Sequence, residues 1–183
     1  AETGAIFVYA TTEPHEALLL GGDTATLHEG RVTQFGKTID IHNSPANLIT
    51  AQTFSDPPMN VVTMEKRGGD LLHAQGKAAL PGFMEGLQDG DYQIGIRPHH
   101  IRLDEHSDAP LKMEGEVSTS EIAGSETFVH FGHGDGHLVV LTHGVHRVHS
   151  GQRIPYYLDP SRFLVFAPQG DLVLAPNSDM AGG

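Results

Sequence analysis

The chain contains no cysteine and no tryptophan, and only 11 lysines and arginines stand against 23 aspartates and glutamates. Without cysteine, a disulfide framework and thiolate metal chemistry are both excluded. A formal net charge of −12 with histidine neutral repels phosphate backbones and acidic membrane surfaces, so a nucleic-acid partner is not expected. Long apolar runs are also missing. Runs such as 17–20 and 138–141 hold only a few residues, where about 20 are needed to cross a bilayer. The start has no initiator Met and no basic region followed by an apolar core, so it does not read as an intact secretory signal, and the cytoplasm is the expected compartment.

What is present is a turn-rich globular composition, with 38% hydrophobic residues, 22 Gly and 11 Pro in 183 residues. That length allows one domain or two small ones, with about 70% of the unfolded surface buried on folding. Residues 5–10 (AIFVYA) form an apolar, β-branched and aromatic run of the kind found in a strand covered on both faces. Thr11 to Glu16, with a capping residue, an early Pro14 and acids in the first turn, then opens a helix that stops at Gly21-Gly22. A strand of this type needs sheet neighbours, so the expectation is the tail of a larger α/β protein. Residues 24–28 and 31–35 read as a hairpin ended by Gly36, and 38–43 and 46–54 as short helices, with Ser44-Pro45 as the break and N-cap.

Asp56-Pro57-Pro58 is the clearest boundary, because two prolines remove two donors and impose extended backbone. Beyond it helix signals nearly vanish. Short runs at 61–65, 92–96, 113–118, 128–131, 137–142, 153–158 and 163–166, separated by Gly, Asp and Pro, predict a small β-barrel. The stretch 90–101 echoes 151–163, each with a Gly turn, a strand, a Pro and an apolar residue three positions later, as in a duplicated half-barrel.

The motifs YATTEPHEA at 9–17, LHEGRVTQFG at 27–36, PANL at 45–48 and PMN at 58–60 are similar to the closing segment of ATP-binding subunits of carbohydrate-type ABC importers. Gly95-Ile96-Arg97-Pro98-His99-His100-Ile101 resembles that family's transport-associated OB-type domain, TOBE. The resemblance implies a mostly β chain: residues 1–58 a short α/β remnant of the nucleotide-binding domain, and 59–183 an OB-like TOBE regulatory barrel. It implies a part in regulation and subunit pairing, by self-association or with a second ATP-binding subunit. The parent would use ATP and Mg, pair with transmembrane permease subunits, and sit peripherally on the inner face of the membrane while importing sugars, polyols or glycerol-phosphate.

The Gly-rich phosphate loop, the acidic magnesium ligands and the family's signature loop do not occur in these residues. Gly68-Gly69 and the stretch 132–136 lack the Gly-Lys-Ser/Thr ending and read as hairpin turns. No catalytic residue and no cofactor are therefore expected in the chain itself. Thr12 occupies the position of the family's switch histidine and cannot carry imidazole's proton or charge, while His15 sits one helical turn too late to replace it. Gly22-Asp23 and Thr24-Ala25-Thr26 are further departures, in the manner of a subgroup that pairs two unlike ATP-binding subunits.

Arg97 and Arg162 flank the two Pro-centred turns and are the candidate interface residues, for a carboxylate across an interface or a small anion. His130, His133, His137, His143, His146 and His149 suggest a metal, but residues three apart on a strand point to opposite faces, so no metal site is expected. Two alternatives remain beside the transporter reading. One is an OB-type module for a small ligand or oligosaccharide, disfavoured by the acidic charge and the lack of Trp. The other is a His-rich metal-binding module.

Overall fold

A computed structural model describes residues 5–133 and 136–176. The chain opens with α1 (Pro14–Leu20), which has proline in its first turn and ends at Gly21, whose φ of 65° lets its N–H donate to the Ala17 carbonyl. A two-stranded antiparallel hairpin follows, β1 (Asp23–His28) with β2 (Arg31–Lys37). Then come α2 (Thr38–Asn43) and α3 (Leu48–Thr53).

Three local expectations need correction. Residues 5–10 form no strand, because none of the described strands lies beside them to complete a ladder, and Ile6, Phe7, Val8 and Tyr9 are all exposed. Gly36 does not end the hairpin but pairs with Thr24 inside it. The third helix starts at Leu48 rather than residue 46, since its cap is Asn47, whose Oδ1 accepts the Thr50 N–H at 2.9 Å, and not Ser44.

From Asn60 onward the described elements are strands, with single 3₁₀ turns at Gly82–Met84, Pro98–His100 and Pro160–Arg162 among them. The strands are β3 (Asn60–Arg67), β4 (Asp70–His73), β5 (Gly76–Ala79), β6 (Gly90–Ile96), β7 (Ile101–Arg102), β8 (Leu111–Ala123), β9 (Glu126–His133), β10 (Gly136–His143), β11 (Arg153–Leu158), β12 (Leu164–Phe166) and β13 (Leu172–Leu174). All seven runs read from the sequence fall on strands; β4, β5, β7 and β13 were not expected. Gly68-Gly69 does turn β3 into β4. For the stretch 132–136, β9 and β10 pair from His133↔Gly136 outward, and residues 134–135 lie outside the described residues.

One sheet runs β10-β9-β8-β11-β7 and the other β13-β12-β6-β3-β4-β5, all antiparallel. They wrap one core of Met64, Ile94, Ile96, Phe131, Tyr156 and Phe163 with their neighbours, giving the mostly β, barrel-like architecture expected. A second cluster, Ala51, Met59, Leu164 and Phe166, packs α3 onto the barrel. A strand-like bridge, Asn47↔Asp171, extends the same contact.

The internal echo has a structural counterpart. Each copy is a strand, a 3₁₀ turn with Pro first, and a second strand, and corresponding residues are 62 apart. The second strand of each copy pairs with the first strand of the other: Arg102 lies opposite Tyr157, and Leu164 opposite Gly95. Those two pairings are interchanged by the 62-residue offset, so the half-barrels are related by a pseudo-two-fold.

Candidate functional site

The two Pro turns meet where the halves interlock, and a group of histidines and arginines gathers there. Pro98 and Pro160 fix φ at the first position of each turn. His100 and Arg162 occupy equivalent places in the two turns and face each other, with Nη1 3.5 Å from Nε2. Asp159 caps its own turn by accepting from Ser161 N–H at 2.9 Å and Oγ at 2.5 Å, and its second oxygen holds Arg162 Nε at 3.1 Å. The His99 and His100 rings stack edge to face at 4.3 Å.

Arg97 and Arg162 are therefore brought to one place, with different surroundings. The Arg97 side chain is buried at 7% exposure, and its Nη2 donates to the main-chain carbonyl of His42, in the last turn of α2. A guanidinium at a helix C-terminus meets the negative end of the helix dipole. Arg97 thus meets the N-terminal segment of its own chain, while Arg162 remains partly exposed beside Asp159.

Burial brings the Arg97 guanidinium down to about 10. Burial and the neighbouring His99, Arg162, Arg97 and His42 push His100 down to about 3. The same causes, burial first and then Arg97, lower His99, whose ring keeps one side in water. His42 is lowered by burial and Arg97, with His15 adding to the effect. The physical content is that three imidazoles and two guanidiniums crowd together with Asp159 as the nearest paired carboxylate, so the imidazoles stay neutral.

An open groove of about 850 Å³ runs past this junction, with His15, Asp56 and Pro57 on one side and His99, Arg102 and Phe128 on the other. His15 is exposed on the first turn of α1, as expected. Thr12 is exposed ahead of that helix, which has no side-chain cap; Glu13 is its N-cap residue, and Thr11 Oγ1 accepts the Glu13 N–H at 2.9 Å just before the first turn. His42 was not singled out in the sequence. Its part in the site is played by a backbone carbonyl, which every residue has.

Among the described residues, the histidines of 130–149 form no common cluster. His130 sits mid-strand opposite Val139, His143 ends β10 with Nδ1 3.8 Å from Glu126, and His149 lies in the following loop. The side chain of His133 lies outside the described residues. Among the described residues no three His, Asp or Glu side chains come together in a way that holds a metal ion. EDTA is accordingly expected to leave the melting temperature unchanged, because a metal bound to the folded state at saturation adds roughly 3 kcal/mol. A drop of many degrees in a thermal scan would reinstate the metal reading.

Residues 94–166, which contain both Pro turns, match the TOBE domain family. Along most of its length the chain is 28% identical to the sulfoquinovosyl glycerol transport ATP-binding protein of Agrobacterium fabrum, covering 90% of this chain and 47% of that protein. It is 28% identical to an sn-glycerol-3-phosphate import ATP-binding protein of Rhizobium etli, over 87% of this chain and 41% of the relative. It is 31% identical to the maltose/maltodextrin import ATP-binding protein of Salmonella typhimurium, over 69% and 36% respectively. The chain thus spans less than half the length of these curated relatives. With its TOBE domain and these relatives, the chain belongs to the family of ABC-importer ATP-binding subunits, corresponding to their C-terminal part.

Proposed function

We propose that the chain is the regulatory and subunit-pairing portion of the ATP-binding subunit of an ABC importer for sugars, polyols or glycerol-phosphate. The whole protein would couple hydrolysis of Mg-ATP to uptake, working with permease subunits at the inner face of the membrane. The observation that carries this reading is the agreement between the TOBE match and relatives that are named as import ATP-binding proteins. Residues 1–58 are then the end of the nucleotide-binding domain and 59–183 the regulatory barrel.

The exposed faces support that division. Leu27, Val32 and Phe35 of the hairpin are exposed, as are Ile6 to Tyr9, whereas the opposite hairpin face is polar, with Thr26 bonded to Thr33 at 2.8 Å. A hairpin with apolar groups outside and threonines inside fits a layer that another part of a larger protein covers. Among the described residues no helix is long and apolar enough to cross a membrane, so contact with the bilayer would come through the permease subunits. Thr12, at the switch-histidine position, marks the nucleotide site it serves as the weaker of two in a pair of unlike subunits.

The chain alone is expected to bind Mg-ATP no more tightly than millimolar and to show no turnover, because it lacks the phosphate loop and magnesium ligands. Joined to the coding segment that precedes Ala1, it is expected to hydrolyse ATP. Calorimetric titration of the chain alone giving a micromolar constant, or a preceding segment without a Gly-rich phosphate loop, would overturn the proposal.

A further inference from the structure

We propose that residues 42–48, between α2 and α3, are a rigid joint that seats the hairpin and its helices on the barrel in one fixed orientation, with Gln34 and Arg97 as its positioning residues. Four motifs of the sequence meet there. Gln34 comes from the stretch 27–36, Pro45 to Leu48 supply the loop itself, Met59 packs with α3, and Arg97 enters from the stretch 95–101. None of the four belongs to a phosphate loop or a magnesium site, and what they share is this loop.

The loop's main-chain groups are taken up from outside it. Gln34 Nε2 donates to the Ser44 carbonyl at 3.2 Å, and its Oε1 accepts the Ala46 N–H at 2.7 Å, so one carboxamide from β2 holds the loop on either side of the buried Pro45. The barrel grips the same loop from two places. From the first Pro turn, Arg97 Nη2 donates to the His42 carbonyl at the end of α2. From the stretch between β12 and β13, the Gly170 carbonyl accepts the Leu48 N–H at 2.8 Å, and the Leu172 N–H donates to the Ala46 carbonyl at 3.0 Å, around the Asn47↔Asp171 bridge.

Directional bonds decide the orientation here. The apolar cluster of Ala51, Met59, Leu164 and Phe166 draws α3 to the barrel but, being non-directional, tolerates rotation about the contact. The bonds at His42, and at Ala46 with Leu48, hold the loop near its two ends, and two separated points remove that rotation. On the hairpin side, Thr24 bonds Thr38 and Thr33 bonds Thr50, tying β1 to α2 and β2 to α3, so the hairpin turns only with the loop. Resting on the reading above, in which residues 1–58 close the nucleotide-binding domain, the joint makes the regulatory barrel follow that domain as one body instead of hanging from the linker at 55–59.

The absence of cysteine makes the orientation measurable in this chain by itself, so a failed joint is told apart from a failed transporter assignment, which ATP binding tests. Spin labels are placed at Ala25→Cys, exposed on β1, and Lys112→Cys, exposed on β8, and the distance distribution is read for the parent and for Gln34→Met, Arg97→Met and Arg162→Met. The parent is expected to give one narrow distance. Gln34→Met and Arg97→Met are expected to give distributions about twice as wide or wider with far-UV circular dichroism unchanged, while Arg162→Met, which alters the corresponding turn, stays narrow. A broad parent, narrow distributions in both Gln34→Met and Arg97→Met, or equal broadening in Arg162→Met overturns the joint. Should the variants fail to fold, amide exchange of the parent decides: Ala46 and Leu48 N–H groups exchanging roughly 100-fold or more slowly than in an unfolded chain support it, and exchange at the unfolded rate overturns it.

Discussion

Asn60→Asp is expected to lower the stability of the chain by about 3 kcal/mol, with Asn60→Ala costing about 2 kcal/mol. Asn60 opens β3 and is 5% exposed, yet neither of its side-chain polar groups is left over. Its Nδ2 donates to the Val139 carbonyl at 2.7 Å, and its Oδ1 accepts the Val139 N–H, also at 2.7 Å. Val139 belongs to β10, in the other sheet, so a carboxamide here imitates one more strand residue and ties the two sheets where no backbone ladder joins them. Aspartate would keep the acceptor but set a buried carboxylate oxygen against the Val139 carbonyl, with two lone pairs facing and no proton between them. Alanine would only leave the Val139 groups unpaired. Urea titrations measure all three proteins; if Asn60→Asp lies within about 0.5 kcal/mol of the parent, the carboxamide does not join the sheets.

Asn60 also shows what the sequence revealed and what it concealed. It was legible as part of the PMN motif, but a family motif marks a position without stating its bond, and the partner is 79 residues away. The seven strands read from the sequence carry alternation or apolar runs of four or more residues, and all seven are present. The four missed strands lacked such a signal. β7 is two residues long, β12's partner β13 is three, and β5 reads Gly-Lys-Ala-Ala with no β-branched residue; each exists because a neighbouring strand offers it a ladder. Residues 5–10 err in the opposite direction, with a strong strand pattern and no ladder among the described residues.

The site divides in the same way. Both Pro turns and both arginines were readable from their punctuation, and the 62-residue echo announced that the turns correspond. What the echo did not disclose is that corresponding residues meet, because two copies of a motif can lie anywhere in a fold until strand exchange places them on a common axis. The threonines at 24 and 26 read as a departure from an apolar strand. In the structure they are bonded inward, Thr24 to Thr38 at 2.8 Å and Thr26 through Thr33 to Thr50, so hydroxyl pairs replace apolar contacts between hairpin and helices. Such pairs contribute about 1 kcal/mol each at most, which leaves this segment more dependent on its contacts with the barrel than a dry core would.

Gly115→Val is expected to cost about 3 kcal/mol, a large share of the roughly 5–15 kcal/mol that holds a domain of this size together. Along β8 the inward positions are Leu111, Met113, Gly115 and Val117, so one position in the series has no side chain. The space is taken by its neighbours. A Cβ at residue 115 would stand 2.5 Å from Phe131 Cδ1 and 3.2 Å from Tyr156 Cε1, and those two rings pack at 5.0 Å with an interplanar angle of 43°. Both rings are almost wholly buried, so neither can turn aside without disturbing the core packed around it. Phe131→Leu, which removes the atoms that meet residue 115, is expected to cost about 1–2 kcal/mol alone. Combined with Gly115→Val it should recover part of the loss, so that the double variant is about 1 kcal/mol more stable than the two single losses predict. Denaturant titration of the four proteins closes the cycle. A double variant no more stable than additivity would mean that the valine is accommodated by movement of β8 rather than resisted by Phe131.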